Sequence, residues 1–326
     1  MKPKSERTAL VTGANAGLGF ESAAKLAEDG WGHIILACRS MEKAEAARAL
    51  LVERVGKDPF GVLAVDTSEV GSAQKAAAQL KEQGSQVDFL LLNAGASKKD
   101  PTFNSEQIEI TYSSTLVGHH VLTMQMIDDQ TLTPTARIVI AGSEGARGNL
   151  PGMNVHDIAE LAKQHYNGDL IATIEDLVRL KTPAQSKFVN MSEYVTAKAI
   201  VAWWAAGLAQ RLPKGMVVNA VSPGAVLATS FARDANFMMR ALMIPMMKML
   251  GPILGMNGPI EDGVQRYIDA AEYDDSNTGH FYATAHRKKA VGPIGIQTWP
   301  SYLTDETLHE AGFNAVVKLT GVAFPA

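Results

Sequence analysis

Short apolar runs alternate with longer amphipathic segments along most of this sequence. Runs such as Thr8–Val11 and Val87–Leu92 are mainly apolar, which is typical of strands that are buried on both faces of a parallel sheet. Segments such as Gly19–Gly30 repeat small apolar residues at helical spacing, which predicts helices that cover such a sheet. The pattern therefore predicts an α/β fold.

The alternation predicts about seven strands in one Rossmann-type, doubly wound parallel sheet with helices on both faces. The predicted strands are Thr8–Val11, His33–Ala37, Gly61–Val65, Val87–Leu92, Arg137–Ala141, Met216–Val221 and His280–Ala283. The predicted helices are Gly19–Gly30, Met41–Val55, Val70–Gln83, Gln107–Ile127 and Val195–Arg211. Because one sheet holds all these strands, we expect a single domain over residues 1–326.

Two segments interrupt the alternation. The first is an insertion over about 147–188, in which Val155–His165 and Ile171–Leu180 each predict a short helix. This insertion fits extra packing, a subunit contact or a cover over a substrate site. The second segment, about 231–259, predicts a helix with one methionine-rich face, since it carries Met239, Met243, Met246, Met247 and Leu250. Methionine adapts to irregular apolar shapes, so this face fits either core packing or a lid over a bulky apolar substrate.

Composition narrows the class of protein. With 46% hydrophobic residues in 326, the chain is able to bury a large core. A formal net charge of -4 without basic runs argues against nucleic acid as a partner. A single cysteine, Cys38, excludes an internal disulfide framework and fits a reducing compartment. The sequence shows no signal peptide, transmembrane span or metal-ligand spacing, so we expect a cytoplasmic protein without a metal.

A glycine-rich turn follows the first predicted strand. It has the sequence Thr-Gly-Ala-Asn-Ala-Gly-Leu-Gly and opens a predicted helix. Glycines permit a tight turn, and the free N–H groups of a helix N-terminus bind the pyrophosphate of a dinucleotide. The candidate cofactor-binding residues in this turn are Gly13, Asn15, Gly17, Leu18 and Gly19.

The ends of the next strands carry further candidate cofactor residues. Dinucleotide folds that bind NAD place an acidic residue at the end of the second strand, where this chain has Arg39 and Ser40. A guanidinium binds phosphate bidentately, so the 2′-phosphate of NADP(H) is favoured. Asp66 and Thr67 end the third strand and either cap the next helix or border the adenine. Small residues at the end of the fourth strand let the chain pass close to a cofactor, and these are Asn93, Ala94 and Gly95.

A serine and a tyrosine–lysine pair form the candidate catalytic group. Ser143 follows the fifth strand, and Tyr194 and Lys198 share one face of a later helix. An ammonium beside a phenol lowers the phenol's pKa, which predicts Tyr194 as the general acid–base of a carbonyl/alcohol pair. Ser143 then donates to the same substrate oxygen.

Taken together, these motifs resemble the short-chain dehydrogenases/reductases over about Thr8 to Thr229. Finer features, Leu36–Arg39, Val117–His119 and Arg137–Ser143, resemble the branch of retinol dehydrogenases and light-dependent protochlorophyllide reductases. The resemblance implies hydride transfer at a nicotinamide, with Lys198 also holding the nicotinamide ribose. It adds a cofactor-contacting loop with Pro223, Gly224, Val226 and Thr229.

The chain departs from the family pattern at one catalytic position. The family's catalytic asparagine, which holds a water in the proton relay to the lysine, is replaced here by Thr115. The Thr115 hydroxyl either holds the same water or leaves the relay impaired. Family members form dimers or tetramers through the tyrosine-bearing helix, so a homodimer or homotetramer is expected unless the insertion blocks that contact.

The leading hypothesis is NADPH-dependent reduction of a bulky hydrophobic ketone or aldehyde, or oxidation of the alcohol in reverse. Its partners are therefore NADP(H) and a small hydrophobic carbonyl or alcohol. Two alternatives stay open. The first is C=C reduction of the protochlorophyllide reductase kind. The second is an NADP-binding sensor or interaction protein with impaired turnover, which Thr115 motivates.

Overall fold

A single sheet lies at the centre of the computed structural model, which describes residues 2–149, 154–183, 188–225, 258–287 and 289–325. Its strands are β1 (Thr8–Thr12), β2 (His33–Cys38), β3 (Phe60–Ala64), β4 (Val87–Leu92), β5 (Leu132–Ala141), β6 (Val217–Val221), β7 (Phe281–Thr284) and β8 (Ile294–Ile296). They lie in the order β3-β2-β1-β4-β5-β6-β7-β8, and β1 to β7 are parallel. The predicted Rossmann-type sheet is confirmed.

Helices cover both faces of the sheet. They are α1 (Gly17–Glu28), α2 (Met41–Val55), α3 (Val70–Glu82), α4 (Ile110–Tyr112), α5 (Gly118–Asp128), α6 (Ile158–His165), α7 (Leu170–Val178), α8 (Asn190–Ala209), α9 (Ile260–Ala270) and α10 (Glu306–Thr320). Alternate strand side chains enter opposite cores, as Leu90 and Leu91 do. One core packs against α1, α2 and α9, and the other against α3, α5, α8 and α10.

The order of the strands fixes where a ligand binds. From β1 the chain proceeds to β2 and β3 on one side, and it then returns to β4, which pairs with the other edge of β1. In open α/β sheets, ligands bind in the crevice outside the carboxyl ends of the strands at such a reversal. The β1–β4 boundary is therefore the expected cofactor position.

Among the described residues, the sheet has one strand more than the sequence predicted. β8 pairs antiparallel with β7, through Tyr282 opposite Ile296, and forms the edge of the sheet. A three-residue strand with a central glycine, Gly295, is too short to show a periodic pattern. The helices α9 and α10 were also missed, although Asp305 caps α10 by accepting hydrogen bonds from the Thr307 and Leu308 amides.

The predicted helix Gln107–Ile127 begins at Ile110 and is interrupted by a π-helical turn over Ser113–Val117. The chain behind this turn is closely packed, because the Gly118 amide donates to the Thr67 carbonyl at 3.0 Å. A Cβ at Gly118 would lie 2.4 Å from that carbonyl oxygen, so only glycine permits the approach. π-helical turns occur frequently at functional sites, and this one contains Thr115.

The insertion forms the two helices that its apolar spacing predicts. Asp157 caps α6 and Asp169 caps α7, each by accepting a hydrogen bond from a backbone amide of the first turn. Their apolar stripes are buried, and α7 packs against α10. Residues 150–153 and 184–187 of the insertion lie outside the described residues, as do 226–257, which include nearly all of the methionine-rich segment.

The two tryptophans of α8 pack within the chain. Trp203 Nε1 donates to the Tyr302 carbonyl at 2.7 Å, and Trp204 Nε1 donates to His120 Nδ1 at 3.0 Å. His120 Nε2 is then the protonated nitrogen, and it donates to the Val322 carbonyl at 2.7 Å. The side of α8 that carries these residues is therefore covered by α10 and the chain's own C-terminal segment.

Candidate active site

The sequence-predicted residues meet at the carboxyl edge of the sheet. Thr12 ends β1, Asn93 follows β4, Ser143 follows β5 and Pro223 lies two residues after β6. Because these strands are parallel neighbours, their carboxyl ends share one edge. Val226 and Thr229 lie outside the described residues.

The glycine-rich turn has the geometry that its sequence predicts. Gly13 and Gly17 adopt φ angles of 68° and 56°, in the left-handed region that favours glycine. A Cβ at Gly19 would lie 2.4 Å from the Gly13 carbonyl oxygen and 2.6 Å from Asn93 Nδ2. Glycine is therefore required for the turn to close against the end of β4.

The N-terminus of α1 fits a pyrophosphate. Its N-cap residue, Ala16, supplies no side-chain hydrogen bond, and a Cβ at Gly17 would meet nothing within 4 Å. Unsatisfied N–H groups at a helix N-terminus attract anions. The turn thus has both the space and the donors that a dinucleotide requires, whereas Leu18 is largely buried and Asn15 is exposed.

Hydrogen bonds join this turn to the Asn93–Gly95 segment. Thr12 Oγ1 accepts from the Asn93 and Ala94 amides, at 2.9 Å each. Asn93 Nδ2 in turn donates to the Thr12 carbonyl at 3.0 Å. These contacts hold the ends of β1 and β4 as one rigid unit beside the candidate cofactor position.

The Arg39 guanidinium is available to an anionic ligand, because 60% of its side chain is exposed. Its Nε lies 3.4 Å from Asp66 Oδ2, an ion pair that spans the ends of β2 and β3. Ser40 caps α2 by accepting from the Lys43 amide at 3.4 Å. A bound 2′-phosphate would contact the Arg39 and Ser40 side chains, which already bind Asp66 and the Lys43 amide.

The alternative role of Asp66 and Thr67 as helix caps is wrong. The N-cap of α3 is Glu69, and Asp66 Oδ1 instead accepts from the amide and hydroxyl of Ser68. Thr67 is buried and donates to the Ser114 carbonyl at 2.9 Å. Thr67 therefore ties the end of β3 to the π-helical turn.

Ser143, Tyr194 and Lys198 come together as predicted. The side chains of Ser143 and Tyr194 are hydrogen-bonded. Lys198 Nζ lies 5.9 Å from the centroid of the Tyr194 ring. Lys198 also donates to the Ala141 carbonyl at 2.6 Å, which anchors the lysine to the end of β5. The arrangement places a hydroxyl, a phenol and an amine within one small region.

The predicted pKa shift of the tyrosine is wrong for this structure. Burial raises the pKa of Tyr194 above 10.0, and the hydrogen bond with Ser143 opposes this only in part. Burial also lowers the pKa of Lys198 from 10.5 to about 8. The sequence could not reveal this, because the desolvation of both groups depends on how the chain packs around them. Tyr194 is consequently a protonated phenol near neutral pH.

Thr115 is buried within the π-helical turn, and His119 binds its backbone. His119 Nδ1 donates to the Thr115 carbonyl at 2.8 Å, which leaves Nε2 as an acceptor for Thr12 Oγ1 at 3.0 Å. Burial lowers the pKa of His119 to about 4, so the imidazole is neutral. A Cβ at Gly95 would lie 3.3 Å from Thr115 Oγ1, so the hydroxyl faces the end of β4.

The loop after β6 begins at the same edge of the sheet with Pro223 and Gly224. Gly224 has a φ of 80°, and its amide donates to Ser222 Oγ at 3.1 Å. A Cβ at this glycine would lie 2.7 Å from the Ala290 carbonyl oxygen. Glycine is therefore required where this loop passes the segment between β7 and β8.

Glu193 is a buried carboxylate that sequence reasoning missed. It lies next to Tyr194 and is 1% exposed. The Tyr112 hydroxyl donates to Glu193 Oε2 at 2.6 Å, and His156 Nε2 lies 3.1 Å from Oε1. Glu193 thus connects α8 to both the π-helical region and the insertion. The sequence signal for it was an acidic residue beside Tyr194, the candidate catalytic tyrosine.

The described ranges contain no cluster of three His, Cys, Asp or Glu side chains suited to a metal ion. Within the same ranges, no helix is both long and apolar enough to span a bilayer.

Comparison with known proteins agrees with the geometry. The family described as short chain dehydrogenase matches residues 7–157. A WW domain-containing oxidoreductase of Drosophila melanogaster is 31% identical over 239 residues, 71% of this chain and 52% of that protein. A chloroplastic protochlorophyllide reductase of Cucumis sativus is 31% identical over 195 residues, 58% of this chain and 46% of that protein.

A solved structure shares the fold over nearly the whole chain. The crystal structure of an uncharacterized protein from Mycobacterium paratuberculosis aligns with a TM-score of 0.68 and 20% identity, covering 98% of this chain and 96% of the other. This chain spans about half the length of the curated relatives named above. Residues 7–157 therefore match the short-chain dehydrogenase family, and the similarity to the named oxidoreductase and protochlorophyllide reductase covers 71% and 58% of the chain.

Proposed function

We propose that this protein is an NADPH-dependent oxidoreductase that reduces a bulky hydrophobic ketone or aldehyde, or oxidises the alcohol in reverse. The observation that carries the proposal is the hydrogen-bonded pair Ser143–Tyr194 with Lys198 beside it. This group lies at the same sheet edge as the glycine-rich turn, where a nicotinamide cofactor supplies the hydride when bound.

The cofactor preference rests on the residues at the end of β2. Arg39 is exposed, and no acidic residue stands where an NAD-binding fold places one to hold the ribose hydroxyls. Gly13, Asn15, Gly17, Leu18 and Gly19 would surround the pyrophosphate through their backbone. Ser40, Asp66, Asn93, Ala94, Gly95, Pro223 and Gly224 would line the remainder of the cofactor site.

The proton chemistry follows from the pKa of Tyr194. Since burial keeps the phenol protonated near neutral pH, Tyr194 is able to donate a proton to a carbonyl oxygen as it gains negative charge. The Ser143 hydroxyl, which is hydrogen-bonded to that phenol, orients the same oxygen. Lys198 stabilises the phenolate that forms, because its amine is close enough for an electrostatic effect.

Thr115 takes the position of the family's catalytic asparagine in this scheme. Its carbonyl accepts a hydrogen bond from His119, and we assign the relay water to its hydroxyl. The hydroxyl provides one donor and two acceptor sites, which is enough for that role. Proton transfer from bulk water to Lys198 would then pass through this water.

Exposed apolar side chains support a hydrophobic substrate. Phe103 and Val189 are 40% and 45% exposed, and Val189 immediately precedes α8, which carries Tyr194. Asn190 Nδ2 donates to Ser97 Oγ at 2.7 Å, so the start of α8 and the segment after Gly95 lie side by side. The predicted lid role of the methionine-rich segment 231–259 stays a prediction, because nearly all of that segment lies outside the described residues.

A second candidate function is C=C reduction of a tetrapyrrole. It is favoured by the similarity to relatives named protochlorophyllide reductase, which are 26–31% identical to this chain. A light-dependent absorbance change of protochlorophyllide with NADPH and the purified protein would support it, and no change would remove it. We retain a cytoplasmic location as a prediction.

The test of the leading proposal is NADPH oxidation at 340 nm in the presence of ketones, aldehydes, quinones and retinoid- or steroid-sized carbonyls. We expect turnover with NADPH that increases with the apolar size of the carbonyl substrate. Turnover only with small polar carbonyls would contradict the substrate class, and a preference for NADH would contradict the cofactor.

A further inference from the structure

A group of buried charges lies directly behind the candidate catalytic serine. It consists of the charged residues Glu144, Arg147 and Arg266 together with Thr284, and we call it the buried charge cluster. These residues are 4%, 1%, 7% and 1% exposed. None of them belongs to the catalytic group or to the candidate cofactor residues, and the sequence motifs do not account for them.

The Glu144 carboxylate is the centre of the cluster. Its Oε1 accepts from the amide and the hydroxyl of Thr284, at 2.9 Å each, and from Arg266 Nη1 at 3.4 Å. Its Oε2 lies 2.6 Å from Arg147 Nη2. Because Glu144 follows Ser143 directly, these contacts fix the backbone from which the serine projects.

The two arginines bind the carbonyl groups of neighbouring loops. Arg266 donates to the Ser222 carbonyl at 3.1 Å and to the Gly292 carbonyl at 2.8 Å. Arg147 donates to the Thr284 and Lys289 carbonyls, at 3.0 Å each. The cluster therefore joins the loop after β5 to the loop after β6 and to the segment between β7 and β8.

The loop after β6 is packed directly against one of these arginines. A Cβ at Gly224 would lie 3.0 Å from Arg266 Nη1. The side chain of Arg266 thus forms the floor under the Pro223–Gly224 turn. Any movement of Arg266 would be transmitted to this turn, which lies beside Ser143 at the sheet edge.

The cost of burying these ions argues against a role in stability alone. One carboxylate faces two guanidinium groups, so the cluster keeps an unbalanced positive charge. Buried ion pairs of this kind are often no more stabilising than apolar residues of similar volume. Apolar side chains would not supply the directed hydrogen bonds that the two arginines donate to four backbone carbonyls.

We propose that Glu144 is a positioning residue that, through Arg266 and Thr284, holds Ser143 and the Pro223–Gly224 turn in a fixed relation around the nicotinamide end of the cofactor. The inference rests on the proposed function. It implies that the cluster affects binding of the nicotinamide half of NADPH but leaves binding of the adenosine half unchanged.

The test compares two ligands on the purified full chain. NADPH reports on the whole cofactor, whereas adenosine 2′,5′-bisphosphate reports only on the half near Arg39 and the glycine-rich turn. The test variant is Glu144→Met with Arg147→Met, which removes the carboxylate and leaves one positive charge, as in the native cluster. We expect its Kd for NADPH to rise about tenfold, since hydrogen bonds to charged groups are lost. The Kd for the bisphosphate should stay within about twofold of the wild-type value, since that ligand reaches neither residue.

A matched control carries the same replacement elsewhere. Arg7 and Glu272 form an ion pair at 2.8 Å, and Arg7 precedes the amino end of β1, far from the carboxyl edge. Arg7→Met with Glu272→Met should change neither Kd. Thr284→Val retains the amide donor and removes only the hydroxyl, and it should raise the NADPH Kd about threefold. This single variant replaces the double variant as the test if the double variant does not fold.

The binding results distinguish failure of the positioning role from failure of the proposed function. Unchanged binding of NADPH by both cluster variants, or equal weakening of NADPH and the bisphosphate, would overturn the positioning role. Wild-type protein that binds neither ligand would instead overturn the proposed function, and with it this inference.

Discussion

The ammonium of Lys198 donates a hydrogen bond to the backbone carbonyl of Ala141, with 2.6 Å between Nζ and O. This contact joins α8 to the last residue of β5, two residues before Ser143. The lysine is 6% exposed, so a charged group is held in a site that water scarcely reaches. The hydrogen bond fixes the position of the Lys198 amine, and burial makes the charged form of this amine energetically unfavourable.

The charge of Lys198 should make the stability of the protein depend on pH. Burial lowers its pKa from 10.5 to about 8, so the unfolded chain binds more protons than the folded chain between these values. The free energy of unfolding of the cofactor-free protein should therefore rise from pH 8 to pH 10.5, by up to about 3 kcal/mol from this group. Urea unfolding at several pH values measures this change in the free energy of unfolding.

The control for this prediction is Lys198→Met, which removes the titrating amine and retains the apolar stem. The difference in unfolding free energy between wild type and variant isolates the lysine from other titrating groups. Parallel pH dependences for the two proteins would contradict the buried, destabilised ammonium.

Arg39→Ala should weaken the use of NADPH and leave that of NADH unchanged. The guanidinium is exposed and is positioned by Asp66 at 3.4 Å, so its removal deletes a charged contact to the 2′-phosphate. We expect KM for NADPH to rise about tenfold to a hundredfold, because one or two charge-assisted hydrogen bonds to the 2′-phosphate are lost. Steady-state kinetics with both cofactors measures the effect.

Arg48→Ala is the matched control for this change. Arg48 also lies at the surface and pairs with an aspartate, Asp58, at 2.7 Å. Its loss should affect neither cofactor. Equal effects of Arg39→Ala on NADPH and NADH would contradict recognition of the 2′-phosphate.

Thr115→Asn distinguishes an active enzyme from a cofactor-binding sensor. If Thr115 Oγ1 holds the relay water, the native chain turns over, and the asparagine variant changes kcat by less than about tenfold. Thr115→Val, which retains the shape but lacks the hydroxyl, should then lower kcat about tenfold to a hundredfold. Turnover that appears only in Thr115→Asn would contradict the relay and favour the sensor.

Trp204→Phe should destabilise the fold more than Trp31→Phe. Both indoles are buried, but Trp204 Nε1 donates to His120, whereas Trp31 Nε1 has no hydrogen-bond partner among the described residues. Removing the Trp204 donor leaves His120 Nδ1 unsatisfied, which costs about 1–3 kcal/mol beyond the shared loss of volume. Urea unfolding of the two variants measures the difference, and equal losses would contradict this role of His120.

The sequence was sufficient to predict most of the sheet. Parallel strands that are buried on both faces, such as Val87–Leu92, are recognisable from their apolar runs. These runs are flanked by segments whose apolar residues recur at helical spacing. The edge strand β8 and the π-helical turn at Ser113–Val117 were not predictable. Their formation depends on tertiary contacts, such as the close approach of Gly118 to the Thr67 carbonyl, which no local pattern encodes.

The candidate site was predictable in its composition but not in its electrostatics. Glycine spacing and the helical pair Tyr194 and Lys198 identify the residues, since both are local patterns. The direction of the Tyr194 pKa shift depends on desolvation, which only the packed structure reveals. The same holds for Glu144 and Glu193, whose burial and partners come from distant segments of the chain.

The role of Tyr194 as proton donor is tested most directly by Tyr194→Phe. The measurement is NADPH-dependent turnover of the best apolar carbonyl substrate, together with the Kd for NADPH from its fluorescence. We expect turnover to fall by a factor of about 100 or more, because the phenolic proton is lost, while the Kd stays within about threefold. A variant that retains appreciable turnover would contradict the account.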